Sequence, residues 1–159
     1  MPTRAKPYQI MPRGPLPELL LTVQYPGGSR HAPTRPEVRR WVRASCPLPT
    51  ETTVRFVGPD EARALNHDWR GRDYATNVLS FPYEAGERIV GDLAICTDVV
   101  LAEAMTQGKP AEHHFAHLIV HGMLHLQGHD HETNRRDAQR MERKEREILA
   151  MLGIPDPYS

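Results

Sequence analysis

At 159 residues the chain has the length of one domain and can bury a core without help from disulfides. A hydrophobic fraction of 39%, with no apolar run long enough for a signal-peptide core or a membrane helix, excludes export and bilayer spanning as expectations. Twenty basic and twenty acidic residues cancel, and the two cysteines, Cys46 and Cys96, have no CxxC spacing, which excludes a zinc knuckle or disulfide framework and fits a reducing cytoplasm.

The charges are unevenly spread: 12 cations face 6 anions up to Arg72, and 8 face 14 from Asp73 onward. Arginine, whose planar fork suits phosphate, dominates the cations. A plain compositional bias toward arginine explains that equally well.

Residues 1–17, basic and proline-rich, read as a loose arm, leaving 18–159 as a single domain. ELLLTVQY at 18–25 reads as a strand closed by a Pro-Gly-Gly turn. Thr34-Arg-Pro-Glu37 is a capping-box pattern with proline in the first turn, so a helix is expected to about residue 44. A strand follows at 52–57, then a short helix opened by Gly58-Pro59-Asp60. NVLSF at 77–81 and IVGDLAIC at 89–96 read as strands separated by a PYEAGER loop. Thr97 or Asp98 is expected to cap a helix that Gly108 closes. The next helix runs from Lys109-Pro110 to about residue 127, ended by Gly128. A last amphipathic helix over about 132–152 turns Met141, Ile148, Leu149 and Leu152 toward the core. The class is α+β: one domain, a small mixed sheet of about four strands, and about five helices.

HLIVHGMLHLQGHDH, residues 117–131, holds five of the nine histidines. Phe115, Leu118, Ile119, Gly122 and Leu126 share one buried helical face, whereas His113, His117, His121 and His125 form a separate stripe at intervals of four. His121 and His125, one turn apart, can aim at one point. A left-handed turn at Gly128 lets the chain double back and deliver His131 as a third ligand. Three histidines with an open fourth position describe a catalytic zinc. His117 is expected to support or pack, His113 and His114 to be solvated, His129 to stand near the substrate side, and Asp130 to orient a ligand imidazole. The metzincin signature H-E-x-x-H-x-x-G-x-x-H shares every metal position, but Gly122 stands where those proteases keep their general base.

The same stretch resembles the signature H-G-x-L-H-L-x-G-x-D-H of the bacterial YbeY family. LNHDWRGRDYATNVLSFPYE resembles that family's L-N-x-x-[YW]-R-x-x-D-x-x-T-[DN]-V-L-S-F-P segment, and GDLAIC its G-D-[IL]-x-I-C strand. The likeness runs from about Thr52 to the C-terminal DPY. His129 departs from a common tyrosine, and Asn77 from a frequent aspartate.

The resemblance implies a zincin-like metal helix with His121, His125 and His131 holding one Zn2+ per chain, and Arg70 as a catalytic residue beside the metal. Three imidazoles also accept Ni2+ or another divalent ion. It further implies a single-strand-specific endoribonuclease of the cytoplasm, acting in 16S rRNA 3′ end maturation and ribosome quality control. The expected partners are single-stranded RNA and the ribosome or its small subunit, with no DNA and no membrane.

The chemistry is coherent by itself. Zinc lowers the pKa of bound water to ~7 and polarises a phosphoryl oxygen, while an arginine at position 70 can grip the phosphate by two parallel bonds. Without the resemblance, Arg70 reads more simply as a surface residue paired with Asp68 or Asp73. Arg72 is a weaker candidate for backbone contact. Arg39, Arg40 and Arg43 read as either a phosphate-tracking stripe or a solvated face. Asn77 and Ser80 are expected on a strand flooring the cleft. Two alternatives stand beside the nuclease: a zinc peptidase or amide hydrolase drawing a base from Glu132 or Asp130, and a non-catalytic ribosome assembly factor.

Overall fold

The computed structural model describes residues 15–129 and 134–158. The arm expected over 1–17 therefore falls, up to residue 14, outside the described residues. Four strands and five helices follow in the order β1 (Leu19–Gln24), α1 (Arg35–Ala44), β2 (Thr50–Val57), α2 (Pro59–Arg70), β3 (Val78–Ala85), β4 (Ile89–Cys96), α3 (Thr97–Gln107), α4 (Ala111–Leu126) and α5 (Arg135–Met151). The sheet order is β1-β2-β4-β3, with β1, β2 and β4 parallel and β3 antiparallel on the edge. This is the mixed α+β sheet expected.

Local rules set most boundaries. Thr34 and Glu37 form a reciprocal capping box at α1. Gly71 and Gly108, both left-handed, close α2 and α3. The expected caps at Thr97 or Asp98 give way to Cys96, which is extended and offers no side-chain bond, while Thr97 is buried inside the first turn. The start expected for the last helix at 132 lies outside the described residues. Asn134 caps α5, its carboxamide oxygen accepting from the Asp137 N–H at 2.9 Å.

The loop expected over PYEAGER is mostly strand. β3 continues to Ala85, with a register irregularity between Pro82 and Glu84. Proline is tolerated there because β3 is an edge strand, whose outer side has no ladder partner to lose.

The core lies between the sheet and the helices α1 and α4. Val54, Phe56, Ile89, Leu93 and Ile95 from the sheet pack with Trp41 of α1, and with Phe115, Ile119, Met123 and Leu126 of α4. α4 approaches the sheet closely at two facing glycines. A β-carbon on Gly122 would lie 2.8 Å from Leu93 Cδ2, and one on Gly91 would lie 2.6 Å from Leu126 Cδ2 and 2.9 Å from the Phe81 carbonyl. Gly122 is thus the residue that lets α4 lie down on β4. A side chain there would point into the helix–sheet seam and not into solvent.

Gly122→Glu, which rewrites the helix as H-E-x-x-H, is accordingly expected to cost at least about 3 kcal/mol by combining overpacking with a buried carboxylate. Urea unfolding measures this; a variant with the unfolding midpoint of the parent chain would show that the seam has room.

Candidate metal centre and cleft

Four-residue spacing along α4 carries His117, His121 and His125 on one side of the helix, away from the face that meets β4. The Nε2 atoms of His121 and His125 stand 3.0 Å apart. Imidazole nitrogens at about 2.0–2.1 Å from a tetrahedral zinc are roughly 3.3 Å from each other, so the pair needs to open by only a few tenths of an ångström to receive an ion. The helix then ends as the sequence predicts. Gly128 has φ +90°, and the His129 N–H reaches back to the Leu124 carbonyl at 3.1 Å while that of Gly128 bonds His125 at 3.0 Å. The third expected ligand, His131, lies outside the described residues, as do Asp130 and Glu132.

Behind His121 sits a group the sequence reading missed. Glu145 of α5 has no solvent exposure, and its carboxylate accepts from His121 Nδ1, from His117 Nε2 at 3.2 Å and from the Tyr158 hydroxyl. Burial alone would push this carboxyl up. The hydrogen bonds from His117 and His121, the charge of His121 and the bond from Tyr158 outweigh it and hold the group at about 2. When His121 is neutral, an ionised partner at Nδ1 keeps its one proton on that nitrogen and leaves Nε2 as the lone-pair donor facing His125. Burial and the neighbouring carboxylate push the Tyr158 phenol well above its ordinary range, so it remains a donor.

His117, His121 and Glu145 also form the one cluster among the described residues with donor atoms near enough to hold a metal, all within 4.8 Å. Glu145 already bonds both imidazoles, whereas the buried His117 Nδ1 has no hydrogen-bond partner among the described residues. Glu145 could have been suspected from sequence, because Met141, Glu145 and Leu149 recur at intervals of four, placing a carboxylate in the buried stripe of α5.

His121 and His125 open onto a cleft of about 590 Å³ lined also by Trp69 and Arg70 at the end of α2, by Thr76 and Asn77 just before β3, by Val78 to Ser80 at its start, and by Gly128 and His129. Arg70 is exposed, and neither carboxylate suggested for it is engaged with it. Asp73 takes Arg63 through two bonds of 2.7 and 2.9 Å, and Asp68 stands 3.5 Å from His67. Among the described residues Arg70 makes no ion pair. Ser80 lines the cleft as expected; Arg39, Arg40, Arg43 and Arg72 do not.

Asn77 lines the cleft too, but its side chain is committed. Its amide donates to Glu103 of α3 at 3.1 Å, and its oxygen accepts from the Val78 N–H at 2.6 Å. Glu103 in turn pairs with His114 Nε2 at 2.9 Å. His114, expected to be solvated, is therefore buried, because α3 covers that side of α4. Desolvation lowers its pKa against the opposing bond to Glu103. His129 faces the cleft with its charged form disfavoured, first by burial and then by Lys144 and Arg140.

Glu145→Gln keeps the volume but sets an amide where donors now converge. Stability should fall by about 1–3 kcal/mol from unsatisfied buried groups, and imidazole nitrogen-15 shifts should show His121 losing its preference for the Nδ1 proton. An unchanged tautomer would mean that Glu145 does not orient the ring.

The sequence profile described as Endoribonuclease YbeY matches residues 34–153. A curated relative from Aromatoleum aromaticum, named Endoribonuclease YbeY, is 54% identical over 144 residues, covering 89% of this chain and 93% of its own length. Another of the same name, from Methylibium petroleiphilum, is 51% identical over 150 residues, covering 94% and 100%. The solution structure of a Thermotoga maritima protein shares the fold at TM-score 0.54 and 23% identity, over 88% of this chain and 99% of that one. With the profile spanning most of the chain and half the residues shared with full-length relatives, this protein belongs to the YbeY endoribonuclease family.

Proposed function

We propose that the protein is a zinc-dependent endoribonuclease that cuts single-stranded RNA, acting in the cytoplasm on ribosomal RNA precursors during 16S rRNA 3′ end maturation and ribosome quality control. The observation that carries this reading is the convergence of His121 Nε2 and His125 Nε2, 3.0 Å apart, in the cleft that Arg70 lines. His121 and His125, with His131 as third ligand, would hold one Zn2+, leaving the fourth position to water or substrate. Bound there, the ion supplies Lewis acidity toward the phosphodiester and lowers the pKa of water to about 7.

The protein's own groups do the rest. Glu145 holds the His121 proton at Nδ1 and so keeps Nε2 available. Arg70 grips the non-bridging oxygens through its planar fork and balances charge as it develops at phosphorus. Ser80 offers a hydroxyl along the edge strand, beside which an extended strand of nucleotides can lie. The relatives named as endoribonucleases support the substrate class. A peptidase could not draw its general base from position 122, where a side chain would meet Leu93; the carboxylates suggested for that role, Asp130 and Glu132, lie outside the described residues.

Purified protein incubated with labelled single-stranded RNA and, separately, with casein tests the reading. RNA should be cut, casein left intact, and a strong chelator should stop the reaction until zinc is restored. Elemental analysis should find about one zinc per chain, lost in His121→Ala. Arg70→Ala should keep its metal yet lose about 10²–10³-fold in rate, the scale for removing one charge-stabilising donor. Glu145→Gln should bind metal about 10–100-fold more weakly. RNA cleavage indifferent to the chelator, or casein cleavage with RNA untouched, would overturn the assignment.

A further inference from the structure

Trp69 is the residue before Arg70, and its side chain is 54% exposed. Large aromatics usually bury their rings, so an open indole on the wall of a functional cleft calls for a reason. Its mobility is restricted from behind. The ring packs on Phe81 of β3 with centroids 5.1 Å apart and planes at 56°, while the left-handed Gly71 stops α2 directly after Arg70. Trp69 lines the same cleft as His121 and His125. A flat apolar surface thus lies one residue from a guanidinium that makes no ion pair among the described residues.

We infer that Trp69 is a stacking platform for one unpaired base of the RNA strand whose phosphate Arg70 holds. This rests on the reading of the cleft as an RNA site and adds to it the group that selects for single strands. The pairing of an aromatic face with a neighbouring cation matches the two parts of a nucleotide, base and phosphate. Every base has a π-face, so the contact tolerates sequence but not base pairing, since a base inside a duplex has both faces covered by its neighbours. Because Phe81 already fixes the ring, little conformational freedom is lost on binding. Trp69 contacts substrate here without taking part in bond cleavage.

The measurement uses metal-loaded protein and a single-stranded 2′-O-methyl phosphorothioate oligomer, which resists cutting. The chain has two tryptophans, and Trp41 is fully buried, so quenching of indole fluorescence on titration reports Trp69. Binding of the labelled oligomer should weaken about 5- to 150-fold in Trp69→Ala, corresponding to the ~1–3 kcal/mol of one base–aromatic stack. Trp69→Tyr, which keeps a ring, should bind nearly as the parent does. One abasic position in the oligomer should impose a similar loss on the parent protein and none on Trp69→Ala. In cleavage assays KM should rise in Trp69→Ala far more than kcat falls.

Equal binding by Trp69→Ala and the parent, or abasic profiles identical in both, refutes the platform while leaving the nuclease assignment in place. A parent protein that neither binds nor cuts RNA removes both. The abasic scan on the parent protein needs no variant, so a poorly folded Trp69→Ala does not shelter the idea: no position-dependent loss there also refutes it.

Discussion

A carboxylate with no access to water organises the active side of this protein. Glu145 is expensive to bury as an anion, and it stays one because three donors from two other segments converge on it: His117 and His121 from α4, and Tyr158 from the C-terminal tail. The cost of leaving any of these groups unpaired ties α5, the tail and α4 together. The same bonds settle which nitrogen of His121 faces the cleft. Stability and chemistry therefore share one set of contacts, and the ring that must be held still belongs to the most constrained part of the fold.

The second constraint is steric. α4 is laid against β4 by glycines on both partners, with Leu93 occupying the space over Gly122 and Leu126 the space over Gly91. Close approach brings the histidine side of α4 level with the edge strand β3, so that α4, β3 and the end of α2 become three walls of one cleft. A bulkier seam would lift the helix and widen the distance between the imidazoles and Arg70. The departure of this helix from the metzincin pattern follows from that packing, since the position that carries glutamate in those proteases here faces the sheet.

Features governed by neighbours in sequence were legible before the structure. The i,i+4 pair His121 and His125, the left-handed Gly128, the capping box at Thr34 and the strand IVGDLAIC all follow from local rules, and each stands where those rules put it. What escaped is non-local. His114 looked like one more exposed imidazole because nothing nearby in sequence announces that α3 will cover it and supply Glu103. The extension of β3 through Pro82 was hidden because proline and charge suggest a loop unless one knows that the strand lies on an edge. Glu145 lies between these cases: its histidine partners are 24 and 28 residues away and Tyr158 is 13 away, yet a lone acid on an apolar helical stripe was visible as an anomaly.

The placement of charge bears on how RNA would be held. Among the described residues, the cations of the first 72 positions other than Arg70 do not line the cleft. Arg39, Arg40 and Arg43 ride on α1, which packs with β1 at the opposite edge of the sheet from β3, and among the described lining residues Arg70 alone carries a permanent positive charge. A strand seated on the described lining would release few counterions, which favours directed contacts over a diffuse field. On the proposed reading affinity comes from directed contacts: a fork on one phosphate, an edge strand along the backbone, and a ring against one base. Each of those contacts is short-ranged and demands an accessible, extended chain. On the proposed reading, a preference for single strands would follow from the way the cleft is lined.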